Sequence, residues 1–201
     1  MDRNEVGMTE FNRLNPDAIA ANIQQGLQHP KLLPVNQWNP SLCGDSDMRI
    51  DWHGTWYYRD SPIQRPALVR LFSRVLRREG QGYVLVTPVE KLMIEVEDVP
   101  FIAVIMDNQL DDSIQHINLT TQTGDCCQLS TLTGWEIHTG QHDEEIPYVE
   151  IRDDLWARVH RNVFYQLIAL GEEHIINNGQ RLFGFWSDQC FFPLTKQPIE
   201  N

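Results

Sequence analysis

Basic residues are scarce in this chain: 16 Lys and Arg stand against 28 Asp and Glu in 201 residues, a formal charge of -12 at pH 7. A molecule with that field repels polyanions unless it segregates a strongly basic face, so nucleic acid is not an expected partner. Long apolar runs are also missing. The longest, residues 101–106, is far too short to span a bilayer, and the stretch MDRNEVGMTEFNRL carries acids where a secretion signal places its apolar core. The expectation is a cytoplasmic location with no membrane partner. Cysteines number only four, at 43, 126, 127 and 190, and lack the spacing of a disulfide framework, which fits reduced thiols.

The signatures of common chemistries are absent as well. There is no Gly-x-Ser-x-Gly elbow and no phosphate-binding Walker sequence, and Gly80-Gln81-Gly82 follows a helical pattern instead of opening one. His138 and His142 have an H-x3-H spacing, but the adjacent Cys126 and Cys127 cannot easily place both sulfurs on one tetrahedral ion, so no metal is expected. Two adjacent cysteines in strand-like sequence read as structural thiols, one of them facing the core. The carboxylates are plentiful, which in an acidic protein describes a solvated surface before it describes a general acid. No catalytic residue and no cofactor is assigned, and the reading leans away from an enzyme.

What is present is a grammar that occurs twice. Residues 50–58 read as a hairpin leading through Pro62-Ile63-Gln64-Arg65 into a helix striped by Leu68, Val69, Leu71 and Phe72. About a hundred residues on, strand-like residues 148–152 lead through Val159-His160-Arg161 into Phe164, Tyr165, Leu167 and Ile168. Strand-like runs follow each helix, at 83–87 and 182–187. The echo predicts a duplicated β-β-α-β-β core in an α+β protein where strands predominate. It divides the chain into an N-terminal helix and connector over 1–44, a first repeat domain over 45–98 and a larger second one over 99–201.

Ahead of the repeats, Asn15-Pro16-Asp17 has the form of a helix start, with Ile19, Ile23 and Leu27 on one stripe, and Pro30, Pro34 and Pro40 mark an extended connector over an apolar surface. The first repeated helix is read from Leu68 to Gly80, with Leu68, Leu71, Phe72, Val75 and Leu76 on one face and Arg70, Arg74, Arg77 and Arg78 on the other. Those four guanidinium groups can bind phosphate; a solvated face salt-bridged to acids is the ordinary alternative. Further strands are expected over 92–97, 101–106, 114–120, 126–129 and 190–194, and a loop over 134–145.

Two similar units packed together create a cleft, a preferred place for a ligand. Arg65 and Arg161 each precede the first apolar turn of a repeated helix, where backbone N–H groups and the helix dipole favour an anion. Helix capping, or pairing with a nearby acid, is the competing reading of both.

Several motifs carry a family resemblance. Ile50-Asp51-Trp52-His53-Gly54-Thr55-Trp56, Thr87-Pro88-Val89-Glu90-Lys91, Val96-Glu97-Asp98-Val99-Pro100-Phe101, Pro147-Tyr148-Val149-Glu150-Ile151-Arg152 and Phe191-Phe192-Pro193-Leu194 together resemble the consensus of an uncharacterised proteobacterial family, domain-of-unknown-function family 1285. The resemblance implies two related domains, the second superficially similar to pleckstrin-homology folds, with a nucleotide-like ligand between them and a role in bacterial signal transduction. Asp188-Gln189 departs from the glycine expected in that family's last turn. Combined with the residue reading, the ligand contacts expected are Arg65 and Arg161 for phosphate, Lys91 for charge, Glu90 and Asp98 for ribose or base hydrogen bonds, and Trp186 for stacking. The alternative function is an adaptor whose partner is another protein, bound at an edge strand or apolar groove.

Overall fold

A computed structural model describes residues 16–17, 20–21, 23, 33–140, 142–176 and 179–196. Of the N-terminal helix, Pro16, Asp17, Ala20, Ala21 and Ile23 are helical, with Ala20 and Ile23 buried; Asn15, Ile19 and Leu27 lie outside the described residues. The connector joins the core through Leu33 and Trp38, while Pro30 also lies outside the described residues.

The first domain starts with β1 (Leu42–Ile50) and turns through residues 51–55 into β2 (Trp56–Tyr58). Asp51 makes that turn: its Oδ1 accepts from the backbone N–H of His53 at 2.9 Å and of Thr55 at 2.8 Å. A two-residue β3 (Ser61–Pro62) leads into α1 (Pro66–Arg74), whose proline occupies the first turn where a missing N–H costs nothing. Leu68 and Phe72 face inward, and the Phe72 ring stacks on Trp56 at 6.2 Å. Burial of side chains of this size contributes about 1.5–3 kcal/mol each, so packing holds a helix too short to persist alone.

The helix ends at Arg74, earlier than the apolar period indicates. Leu76–Glu79 forms β4, paired antiparallel with β5 (Gly82–Val86) across Gly80. Val75 and Leu76 are both buried, and two consecutive buried residues at an element junction mimic the helical i+7, i+8 positions. Arg77 and Arg78 are therefore strand residues. Arg77 donates to the carbonyls of Val35 and Trp38 and pairs with Glu79, and Arg78 pairs with Asp154 of the second domain at 3.3 Å. β6 (Lys91–Val96) completes the sheet, antiparallel to β5 and parallel to β1, giving the order β3-β2-β1-β6-β5-β4.

In the second domain, β7 (Phe101–Asp111) and β8 (Ile114–Thr121) form a long hairpin, followed by β9 (Cys126–Gln128). The expected loop over 134–145 is instead β10 (Trp135–Thr139) and the start of β11 (Glu145–Arg152). β10 lies at a sheet edge with Glu136 and His138 exposed, so its alternation contains little apolar signal. β12 (Leu155–Val159) runs parallel to β7, and the sheet order is β10-β11-β12-β7-β8-β9. After α2 (Arg161–Ala169), β13 (Glu172–Ile175), β14 (Arg181–Ser187) and β15 (Cys190–Pro193) make a separate three-stranded sheet. That sheet packs on the second through Phe185 and Phe192, each edge-on to Trp135 at 5.7 Å. Ser187, fully buried, fastens the join: its Oγ donates to the Leu129 carbonyl at 2.7 Å and accepts from the Ile117 N–H at 2.9 Å.

The molecule is a strand-rich α+β protein of two domains. α1 and α2 are each followed by antiparallel strands, but those after α1 join the sheet that holds β1, whereas those after α2 form a sheet of their own. Among the described residues, no helix is long and apolar enough to cross a membrane. Cys127 packs against the core, its thiol pushed up to about 12 chiefly by burial, while Cys126 points outward.

Candidate functional site

The two domains meet where the Asp51–Thr55 turn, α1 and β4 of the first face β7, β11, β12 and the turns beside them in the second. At one end the Asp51–Thr55 turn meets the second domain so closely that a Cβ on Gly54 would fall 2.8 Å from Ile102 Cγ1 and 2.8 Å from Gln122 Nε2. Gln122 is held there because its Oε1 accepts from the Ile102 N–H at 2.6 Å.

Beside this contact, Arg158 of β12 lies 3.9 Å above the Trp52 ring and donates to the Trp52 carbonyl. Its Nε is 3.6 Å from Asp98 Oδ2, and Asp98 also accepts from the Tyr148 hydroxyl at 3.0 Å. Burial raises the Asp98 carboxyl above its ordinary range, against the pull of Tyr148 and Arg158, and it lowers Arg158, against the pull of Asp98. Both shifts say that desolvation outweighs the attraction between the pair. Tyr148, whose own desolvation and whose neighbour Asp98 both oppose ionisation, stays a hydrogen-bond donor.

At the other end is a cleft of about 290 Å³ lined from the first domain by Arg70, Ser73 and Arg74 of α1 and from the second by Thr123, Asp125 and Arg152. Arg152 is a strut across the seam: it donates to the Ser73 carbonyl at 2.7 Å and to Asp125 Oδ1 at 3.2 Å, with its guanidinium 5.7 Å from the Phe101 ring centre. Asp125 is itself oriented by the Thr123 hydroxyl at 2.8 Å. The Arg70 guanidinium, by contrast, has no hydrogen-bond or ion-pair partner among the described residues.

Of the residues expected from sequence, Asp98 lies in the seam. Arg65 pairs with Asp17 at 2.5 Å on an exposed surface, the alternative kept open for it, and Arg161 donates to the Tyr165 hydroxyl at 2.7 Å. The two arginines line different cavities. Lys91 Nζ is 3.1 Å from Glu79, and Glu90 closes a turn in which its N–H donates to Thr87 Oγ1. Trp186 donates to Glu172 at 2.7 Å and packs against His174 and Phe191 in the small sheet. Arg152 and Arg158 were not among the expected contacts. Arg152 ends one of the family motifs, but nothing in the sequence around Arg158 separates it from an ordinary surface arginine.

Fold and seam together define a two-domain, strand-rich protein whose domains are tied by arginine struts. The chain belongs to the DUF1285 family: "Domain of unknown function (DUF1285), N-terminal domain" matches residues 33–99 and "Protein of unknown function (DUF1285), C-terminal domain" matches residues 100–194. A crystal structure of a DUF1285 family protein from Silicibacter pomeroyi DSS-3 is 40% identical, covering 89% of this chain and 93% of that one with a TM-score of 0.78. Another, from Shewanella baltica OS155, is 23% identical, covering 59% of this chain and 87% of that one with a TM-score of 0.47. No curated protein matches the chain.

Proposed function

We propose that the protein is a non-catalytic module that holds a small anionic ligand, such as a phosphate-bearing nucleotide, in the cleft between its two domains. The observation that supports this is the meeting of Arg70 and Arg74 from one domain with Arg152 from the other around a single cleft. Guanidinium groups pair with phosphate through parallel N–H donors, and a ligand contacting both domains couples its binding to their relative position. Asp125 and Asp153 share the lining, so a monoanionic or dianionic group suits it better than a polyphosphate chain. The shared order of strands and helix in the two halves is read as a duplication that produced this seam, and signal transduction, the role the family resemblance implies, fits a module that binds without turnover.

Thermal denaturation with inorganic phosphate, AMP and GMP tests the reading. At a hundred times its dissociation constant a ligand adds about 2.7 kcal/mol, roughly 5–10 °C in Tm for a chain of this size. Arg70→Gln is expected to abolish the shift while leaving the unliganded Tm nearly unchanged. No shift with any of the three anions, or a full shift in the variant, would overturn it.

A further inference from the structure

A second cavity, of about 490 Å³, is lined by second-domain residues, among them Arg158, whose guanidinium also reaches into the seam. Its wall is apolar on one side, built by Ile146, Pro147, Val159, Phe164 and Tyr165, with the last two rings 25° from parallel and 6.5 Å apart. Ligand pockets combine such a surface with a few polar groups that fix orientation. Here those groups are Arg158, Arg161, His142, Glu144 and Glu145.

Their existing partners decide what remains available. Glu144 accepts from the His142 N–H at 2.8 Å, and Glu145 accepts from the Lys196 N–H at 2.6 Å, so each carboxylate is already engaged by a backbone donor. Arg158 is turned toward Asp98 and Trp52. Arg161 makes one polar contact among the described residues: its Nε donates to the Tyr165 hydroxyl, which leaves the two terminal nitrogens of the fork without a carboxylate. Tyr165 is half-exposed, and the Arg161 guanidinium carbon lies over its ring, 5.3 Å from the centre, so a cation and an aromatic surface share the wall.

From this juxtaposition we infer that the cavity is a binding site for a flat aromatic molecule carrying a single carboxylate, its ring against Phe164 and Tyr165 and its carboxylate on the outer nitrogens of Arg161. A bidentate carboxylate pair supplies orientation and the rings supply apolar contact area, which a bare inorganic anion lacks.

Titration of the full chain with 2-naphthoate, followed by calorimetry and by amide and side-chain NMR shifts, tests the site. Neutral 2-naphthamide and cationic 2-naphthylmethylamine serve as matched probes. The expected result is saturable binding of 2-naphthoate with shifts at His142, Val159 and Tyr165, weakened about tenfold or more in the amide and in Arg161→Gln. Arg70→Gln, on the interdomain cleft, is expected to leave that affinity unchanged, which separates this site from the proposed anion cleft. Failure of 2-naphthoate to bind, equal or tighter binding of the amide or the amine, or full affinity in Arg161→Gln overturns the assignment.

Discussion

Three hairpins of the second domain turn on two residues that both have left-handed backbone, and none of them contains glycine: Asp112-Ser113, Asp153-Asp154 and Asp188-Gln189, with φ between 45° and 69° overall and 50° and 60° for the last pair. Such turns match the twist of the flanking strands, and aspartate tolerates the conformation because its short side chain bonds locally. Gln189 has no such excuse. A left-handed residue with a full Cβ costs about 1–2 kcal/mol, part of which a glycine returns to the flexibility of the unfolded chain. Gln189→Gly is therefore expected to stabilise the protein by about 0.5–1 kcal/mol, read as a higher midpoint in urea. A lowered midpoint would mean that the Gln189 side chain contributes more than its backbone loses. The sequence departure at Asp188-Gln189 thus leaves the hairpin in place, and only a residue-level strain marks it.

At the scale of elements, legibility followed how strongly a segment's pattern is imposed by its own burial. β5, with four successive buried residues, has its bounds legible in sequence to within a residue, and α2 shows its inward stripe at Val163 and Leu167. β10 and β13 are half-exposed edge strands whose apolar alternation is diluted, and β4 borrowed the period of the helix before it. The site was legible only in fragments: the Arg70 and Arg74 pair on one helix face and Asp98 at the domain junction carry local signals. Their assembly with Arg152 and Arg158 arises from side-chain contacts between residues some sixty to eighty apart in the chain, which no local period encodes. The Asp51–Thr55 turn shows how tertiary contact adds to a local rule. Gly54 has φ +77° and also faces Ile102 and Gln122, whereas Gly80 has φ +58° and open space around it. Gly80→Ala is expected to cost about 1 kcal/mol from backbone strain alone, and Gly54→Ala about 2–4 kcal/mol because it adds an overpacked domain contact. Equal losses in chemical denaturation would show that the turn does not press against the second domain as described.

For the whole molecule, the seam combines two kinds of tie that respond differently to conditions. Arg152 places one donor on Asp125 and one on the Ser73 carbonyl, a tie to each domain, while the Asp98, Tyr148 and Arg158 group remains under desolvation stress. The sign of that stress can be followed through pH. Because the folded carboxyl of Asp98 sits above its ordinary value of 3.8, the folded state holds the Asp98 proton more tightly than the unfolded chain does. Its contribution is fully present below 3.8 and is lost as pH rises through the higher folded value, the reverse of a carboxylate stabilised by its partner. Asp98→Asn is neutral at every pH and removes this dependence, while the other acids titrate alike in both proteins. The unfolding free energy of the wild type is accordingly expected to gain on that of Asp98→Asn as pH falls from about 7 to about 4, measured by urea denaturation across that interval. A gap that stays constant, or that moves toward the variant on acidification, would show that the Arg158 charge and the Tyr148 hydroxyl outweigh burial, making the group a stabilising clasp at neutral pH in place of a stressed one.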